Sequence, residues 1–276
     1  MRAVYAIIKK NLVSFARDKA RIFMTLIMPL FMLFSCSFLM NSSVVDIDSP
    51  FNYLIAGVVI TIVFQGVFNN STAVLNDISS GFMREIIVAP VARFYIAVGN
   101  ILSASILATL QGGLLLIIGI LLGFRTTFPD FILMLVLMML SAIILSAIVL
   151  FLSLTAKNQT NYQIISSVVI MPAMFLSGAY IPITIMPKVI LPIVYLNPLT
   201  YLTSAFRYVA LNMFDLSATE LIHQGIAIHF GSITILPYVS WIFAFGIGMV
   251  FLILCIKKFE KINLLEVQGS TRGRRR

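Results

Sequence analysis

Apolar residues run through this chain in long blocks, and the charged residues between the blocks set out its plan. A helix crosses a hydrocarbon core of about 30 Å with about 20 mainly apolar residues. Stretches free of Asp, Glu, Lys and Arg therefore predict six membrane spans, at 22–40, 53–75, 94–123, 131–156, 163–180 and 232–256. The fifth follows a polar run, Asn158-Gln159-Thr160-Asn161, and prolines break its far end. A seventh apolar stretch, 189–206, is long enough to cross but contains Pro192, Asn197, Pro198 and several hydroxyls.

Charge separates six crossings from seven. With six spans and the N-terminus inside, the inner segments hold sixteen Lys and Arg residues, and the outer ones hold three, Arg125, Lys188 and Arg207. Acidic residues divide five and five. Orientation follows Lys and Arg rather than net charge. A seventh crossing would put the seven C-terminal cations outside. Both termini are therefore expected in the cytoplasm, and 189–206 is expected to dip and return. Non-helical backbone at membrane depth survives only under a cover of protein or beside a watery cavity. Pro172, Pro182, Pro187, Pro192 and Pro198 suit short broken helices there. The segment 181–230 thus reads as re-entrant and external, with its hairpin over 181–200. Asn197-Pro198 reads as an N-cap with proline at the first helical position. Ser217-Ala218-Thr219-Glu220 reads as a capping box.

The stretch 1–21 carries scattered charges and no small-residue cleavage site, unlike a signal peptide. Val4, Ile8, Leu12 and Phe15 share one helical face, with Arg2, Lys9, Lys10, Arg17 and Arg21 mostly opposite. That pattern predicts an amphipathic helix in the membrane interface, its cations near anionic lipid headgroups. A plain basic topogenic segment is the simpler alternative. At the other end, 257–276 is a basic tail, with a linker-like stretch at 269–273. The loop 76–93 holds a run from Phe82 to Ala89 that suits two helical turns, stopped by Pro90. Its apolar side fits a partner's groove; an ordinary interfacial loop fits the pattern equally well.

Composition agrees with a membrane protein. Hydrophobic residues make up 60% of the 276 and charged residues 11%, against about 25% charged in soluble domains. An ordinary soluble enzyme and a disordered chain are both excluded. The net charge of +9 is too sparse and clustered for a nucleic-acid-binding domain. Cys36 and Cys255 lie in apolar runs and act as small hydrophobes. His223 and His229 are the only histidines, too few for a metal site. No catalytic, cofactor-binding or metal-binding residue is assigned.

Two segments carry a family resemblance. The first is Gly81-Phe82-Met83-Arg84-Glu85 leading to Ala89-Pro90-Val91-Ala92-Arg93. It resembles the coupling-helix region of the type 2 ABC exporter permeases. The second comprises Leu176-Ser177-Gly178-Ala179-Tyr180-Ile181-Pro182, Met186-Pro187, Leu196-Asn197-Pro198-Leu199-Thr200-Tyr201 and Ala205-Phe206-Arg207. It resembles the stretch between the fifth and sixth spans of that family. Before the coupling helix, members often have a more acidic run where this chain has Ser79-Ser80-Gly81.

The resemblance implies an all-α integral membrane fold of six transmembrane helices. An N-terminal interfacial helix precedes them, and an outer re-entrant hairpin separates spans five and six. Residues 1–256 would form one permease domain in the cytoplasmic (inner) membrane. It would pair with a second six-span half, identical or related, and with cytoplasmic ABC ATPase subunits. ATP and Mg would bind those subunits, since this chain has no Gly-x-x-x-x-Gly-Lys-Ser/Thr loop. The coupling loop would use Gly81, Phe82, Arg84, Glu85, Pro90 and Arg93. The re-entrant motif would use Ser177, Gly178, Pro182, Pro187, Asn197, Pro198 and Arg207. Drug or antibiotic efflux is the nearest subgroup, then lipid-linked glycan export.

The residues point the same way. The spans hold almost no ionisable groups, which argues against proton coupling and against charge-ringed pores. A pathway would then be lined by apolar and neutral polar groups, with Gln65, Asn69, Asn70 and Gln111 as candidates. The alternative is that these amides join packed helices. Abundant Phe and Met suit a surface for varied amphipathic molecules, and equally suit lipid-facing and core positions. Gly119 and Gly123 form a small-x-x-x-small pair for close helix contact. The rival function is a membrane scaffold or assembly factor that transports nothing.

Overall fold

The computed structural model describes residues 2–41, 50–79, 92–156, 158–230 and 233–261. Helix α1 (Arg2–Arg17) buries Asn11 and Phe15, and its Val4–Ile7 side meets Gly99, in the helix that begins at Arg93. It ends at Asp18, and α2 (Lys19–Asn41) leaves at an angle. The axis of Ile22–Cys36 bends 70° from α1. The break falls at Asp18, inside the stretch 1–21 that the sequence reads as one interfacial helix.

Helix α3 (Pro50–Ser79) is the axis of the bundle. From Tyr53 to Phe68 every residue but Gln65 is buried. Around it stand α2, α4 (Arg93–Leu121), α5 (Phe128–Thr155) and α6 (Gln159–Leu176). A Cβ on Gly119 of α4 would collide with Ile55 of α3. The predicted glycine pair is therefore split. Gly119 makes a close contact inside the chain, whereas Gly123 has φ +112° and nothing near it.

Caps define the later helices. Thr127 caps α5 by accepting from the Asp130 amide, and Asn158 caps α6 by accepting from Asn161. Helix α6 stops at Leu176, four residues short of the expected end of the fifth span. Gly178 is the reason, with a φ of +80° that glycine adopts without steric cost. Short helices follow: α7 (Leu191–Leu196), α8 (Pro198–Ala210) and α9 (Ala218–His223). Asn197 caps α8 with Pro198 in its first turn, and the Ser217–Glu220 capping box opens α9, both as the sequence predicts.

One element departs from the all-helical expectation. Strand β1 (Ile228–Phe230) pairs antiparallel with β2 (Ile233–Ile235), His229 opposite Thr234. Alternating β-branched and aromatic residues favour strands. The ribbon takes the start of the predicted last span, and α10 (Pro237–Lys261) begins only at the proline.

Among the described residues, four helices are long and apolar enough to cross a membrane: 51–77 of α3, then α4, α5 and α10. The bent α1–α2 pair is a fifth candidate by the same measure. Helix α6 has 18 residues, and its polar first turn lowers its hydropathy.

Candidate functional site

The break after α6 is the most demanding feature of the bundle. A helix end leaves carbonyls without partners, and in apolar surroundings each must be satisfied by protein. Helix α8 supplies the donors. Asn197 Nδ2 donates to the Ala173 carbonyl at 2.7 Å. Thr200 donates to Val194 at 2.8 Å, with Leu176 at 3.4 Å. Ser177 Oγ donates to Met174 and accepts from the Ala179 amide, holding the turn.

Arg207 completes this arrangement. It is 1% exposed. Its Nη1 donates to the Gly178 carbonyl at 2.7 Å and Nη2 to Ala179 at 2.6 Å. Its Nε donates to the Tyr53 carbonyl at 3.1 Å, and its guanidinium lies 3.6 Å from the centre of the Tyr53 ring. No carboxylate takes part. Three carbonyl dipoles and a ring face hold the charge. Glycine at position 57 makes this possible, because a Cβ there would overlap the Ala179 carbonyl and the guanidinium. The sequence motif around Ser177, Gly178, Asn197, Pro198 and Arg207 is thus brought into one cluster. Pro182 is buried beside it, whereas Pro187 is exposed. Tyr53 and Gly57 escaped the sequence reading. They lie more than 100 residues away on α3, and an aromatic and a glycine in a span carry no local signal of a distant cation.

The candidate pathway amides separate. Gln65 and Asn69 are half-buried, while Asn70 and Gln111 are buried. Gln111 presses on Gly66, where a Cβ would overlap its side-chain oxygen. Both polar atoms of Gln111 are buried without a hydrogen-bond partner. A different polar surface stands out. Gln159, Gln163 and Ser167, four apart along α6, are all exposed, with exposed Val168 and Met171 beside them.

At the far end of α3, Asp77 pairs with Lys10 of α1. The coupling residues Gly81, Phe82, Arg84, Glu85 and Pro90 lie outside the described residues, and Arg93 opens α4.

Residues 2–211 match the family model described as ABC-2 type transporter. The chain belongs to this family. The match takes in α8 and the Arg207 cluster and stops before α9 and the ribbon. A relative from Cyanophora paradoxa, "Putative transport permease ycf38", is 23% identical over 214 residues, covering 75% of this chain and 74% of its own. This ABC-2 chain is accordingly a multi-pass membrane protein, a transporter permease subunit rather than an enzyme. Its family associates with ABC ATPases.

Proposed function

We propose that the chain is the permease subunit of an ATP-driven exporter in the cytoplasmic membrane. Its substrate would be amphipathic or lipid-like: a drug, an antibiotic or a lipid-linked glycan. Residues 1–256 act as one permease domain, ahead of the basic tail 257–276. Helices α2 and α6 join α3, α4, α5 and α10 as six spans. Helix α1 lies in the inner interface, and both termini face the cytoplasm. The segment around α7 and α8 enters from outside and returns. Two such halves, identical or related, alternate access around a shared pathway. ATP and Mg are handled by ABC ATPase subunits, which dock on the loop around Glu85.

The observation that carries the two-halves reading is the exposed polar row of α6. Gln159, Gln163 and Ser167 form one exposed row that runs from the polar first turn of α6 into its apolar body, and amides are costly to leave against lipid. A second half or a watery pathway would cover them. Support for an external energy source comes from the scarcity of ionisable groups in the spans.

The test is co-expression with an ABC ATPase encoded beside this chain, followed by reconstitution in liposomes. Substrate-stimulated ATP hydrolysis and ATP-dependent transport are expected. Glu85→Ala is expected to uncouple the two. Failure to recover any ATPase with the chain would favour the scaffold reading instead.

A further inference from the structure

A cavity of about 440 Å³ opens where the α4–α5 turn meets the start of α3 and the end of α8. That volume lies within the range of small-molecule sites, roughly 300–1,000 Å³. Its walls include Asn52, Tyr53, Arg125, Asp130, Asn212 and Gln224. The family resemblance gives these positions no part.

Two opposite charges share the cavity without meeting. Among the described residues the one ion pair is Lys10–Asp77, so Arg125 and Asp130 stay apart. One oxygen of Asp130 accepts from the Thr127 hydroxyl at 2.5 Å, which leaves the other oxygen for a ligand. The Tyr53 hydroxyl is buried with no hydrogen-bond partner. It lies 3.4 Å from where a Cβ on Gly225 would sit, beside Gln224 of the wall. Two apolar residues stand just outside the wall formed by Phe124–Thr127: Leu121 is 80% exposed and Phe128 78%. These two residues flank the turn and end two membrane-spanning helices, so the cavity mouth lies at a membrane surface.

We propose that this cavity holds the headgroup of a zwitterionic phospholipid, its phosphate on Arg125 and its ammonium on Asp130. A guanidinium presents two parallel donors to phosphate oxygens, and a carboxylate with a free oxygen accepts from an ammonium. Both charges of such a headgroup are then matched, whereas a purely anionic headgroup would meet Asp130 with like charge. The side-chain amides of Asn52, Asn212 and Gln224 serve the ester and glycerol oxygens. Leu121 and Phe128 receive the start of the acyl chains, a surface that a soluble ligand would not need.

The purified chain, without any ATPase, is given equal amounts of phosphatidylethanolamine and phosphatidylglycerol. Retained lipid is read by native mass spectrometry. Phosphatidylethanolamine is expected to be retained several-fold over phosphatidylglycerol. Asp130→Asn, which still accepts from Thr127, should bring that ratio towards one. Arg125→Gln should lower retention of both lipids. Excess soluble glycerophosphoethanolamine should leave the bound lipid in place. Equal or reversed preference in the unaltered chain would overturn the proposal, as would an unchanged ratio in Asp130→Asn. Displacement by the soluble headgroup would overturn its assignment to a lipid. Thermal melting of each variant separates lost binding from lost fold. Because no transport is measured, failure here leaves the export reading standing, and failed transport leaves this result standing.

Discussion

Lys10 of α1 and Asp77 of α3 form an ion pair, Nζ to Oδ2 at 2.5 Å, across 67 residues of sequence. It ties the interfacial-type helix to the end of α3 from which the predicted coupling loop departs. The two side chains are 36% and 16% exposed, so water and salt screen the pair. Its coupling is expected at about 0.5–1 kcal/mol. Lys10→Asp and Asp77→Lys should each lower the melting temperature in detergent, and the double exchange should recover most of the loss. Additive losses would show that the pair contributes nothing.

Arg207 should tolerate no substitute. A lysine is a point donor that cannot reach three carbonyls in two directions. Arg207→Lys and Arg207→Met leave buried carbonyls unsatisfied, at about 1–3 kcal/mol each. Both variants should melt well below the unaltered chain, or fail to accumulate. Gly57→Ala should do the same without removing any hydrogen-bonding group. Near-normal melting of Arg207→Lys would contradict the geometry described.

Gln111 predicts the opposite sign. Its buried amide has no partner, so replacement by an apolar side chain of similar size removes a desolvation cost. Gln111→Leu should raise stability by about 1 kcal/mol. If the same variant transports normally in liposomes, Gln111 is not a pathway residue.

Helix α6 offers a proximity test. Gln163→Cys, in a chain with Cys36 and Cys255 replaced, should form a disulfide-linked dimer on mild oxidation. A cysteine at Ile242, 72% exposed on α10, should link far less. Equal linking at both positions would remove the argument from the polar row.

Much of this architecture was legible in the sequence, for a physical reason. Lipid imposes long apolar helices, so α3, α4 and α5 announce themselves by composition. The caps at Asn197 and Ser217 were legible because each is a local hydrogen bond within three residues. The ribbon at Ile228–Ile235 was missed, because β-branched residues next to an apolar helix read as more of that helix. Arg207 was visible as part of a motif, but its environment was not. Its three carbonyl partners come from segments that only tertiary packing unites. The four candidate amides stand out in the sequence by polarity, and polarity does not say which way a side chain turns.

The capping box of α9 carries a pH dependence. The Ser217 hydroxyl and then its amide donate to the Glu220 carboxylate, holding it below the ordinary carboxylate range. A depressed folded value means that this contribution is present above the unfolded value of about 4.5. It is lost as pH falls through the folded value. The first turn of α9 should therefore fray only under acid conditions. The Ser217 amide resonance, followed by NMR against pH, should report that titration, and Ser217→Ala should move it upward.

The Arg207 cluster also bears on the order in which the chain is made. The Tyr53 carbonyl precedes Arg207 by 154 residues, and those of Gly178 and Ala179 by 29 and 28. All three carbonyls that bind the cation therefore precede it in the chain and are synthesised before it. The cluster is completed only when Arg207 is added, and α10 follows it in the chain.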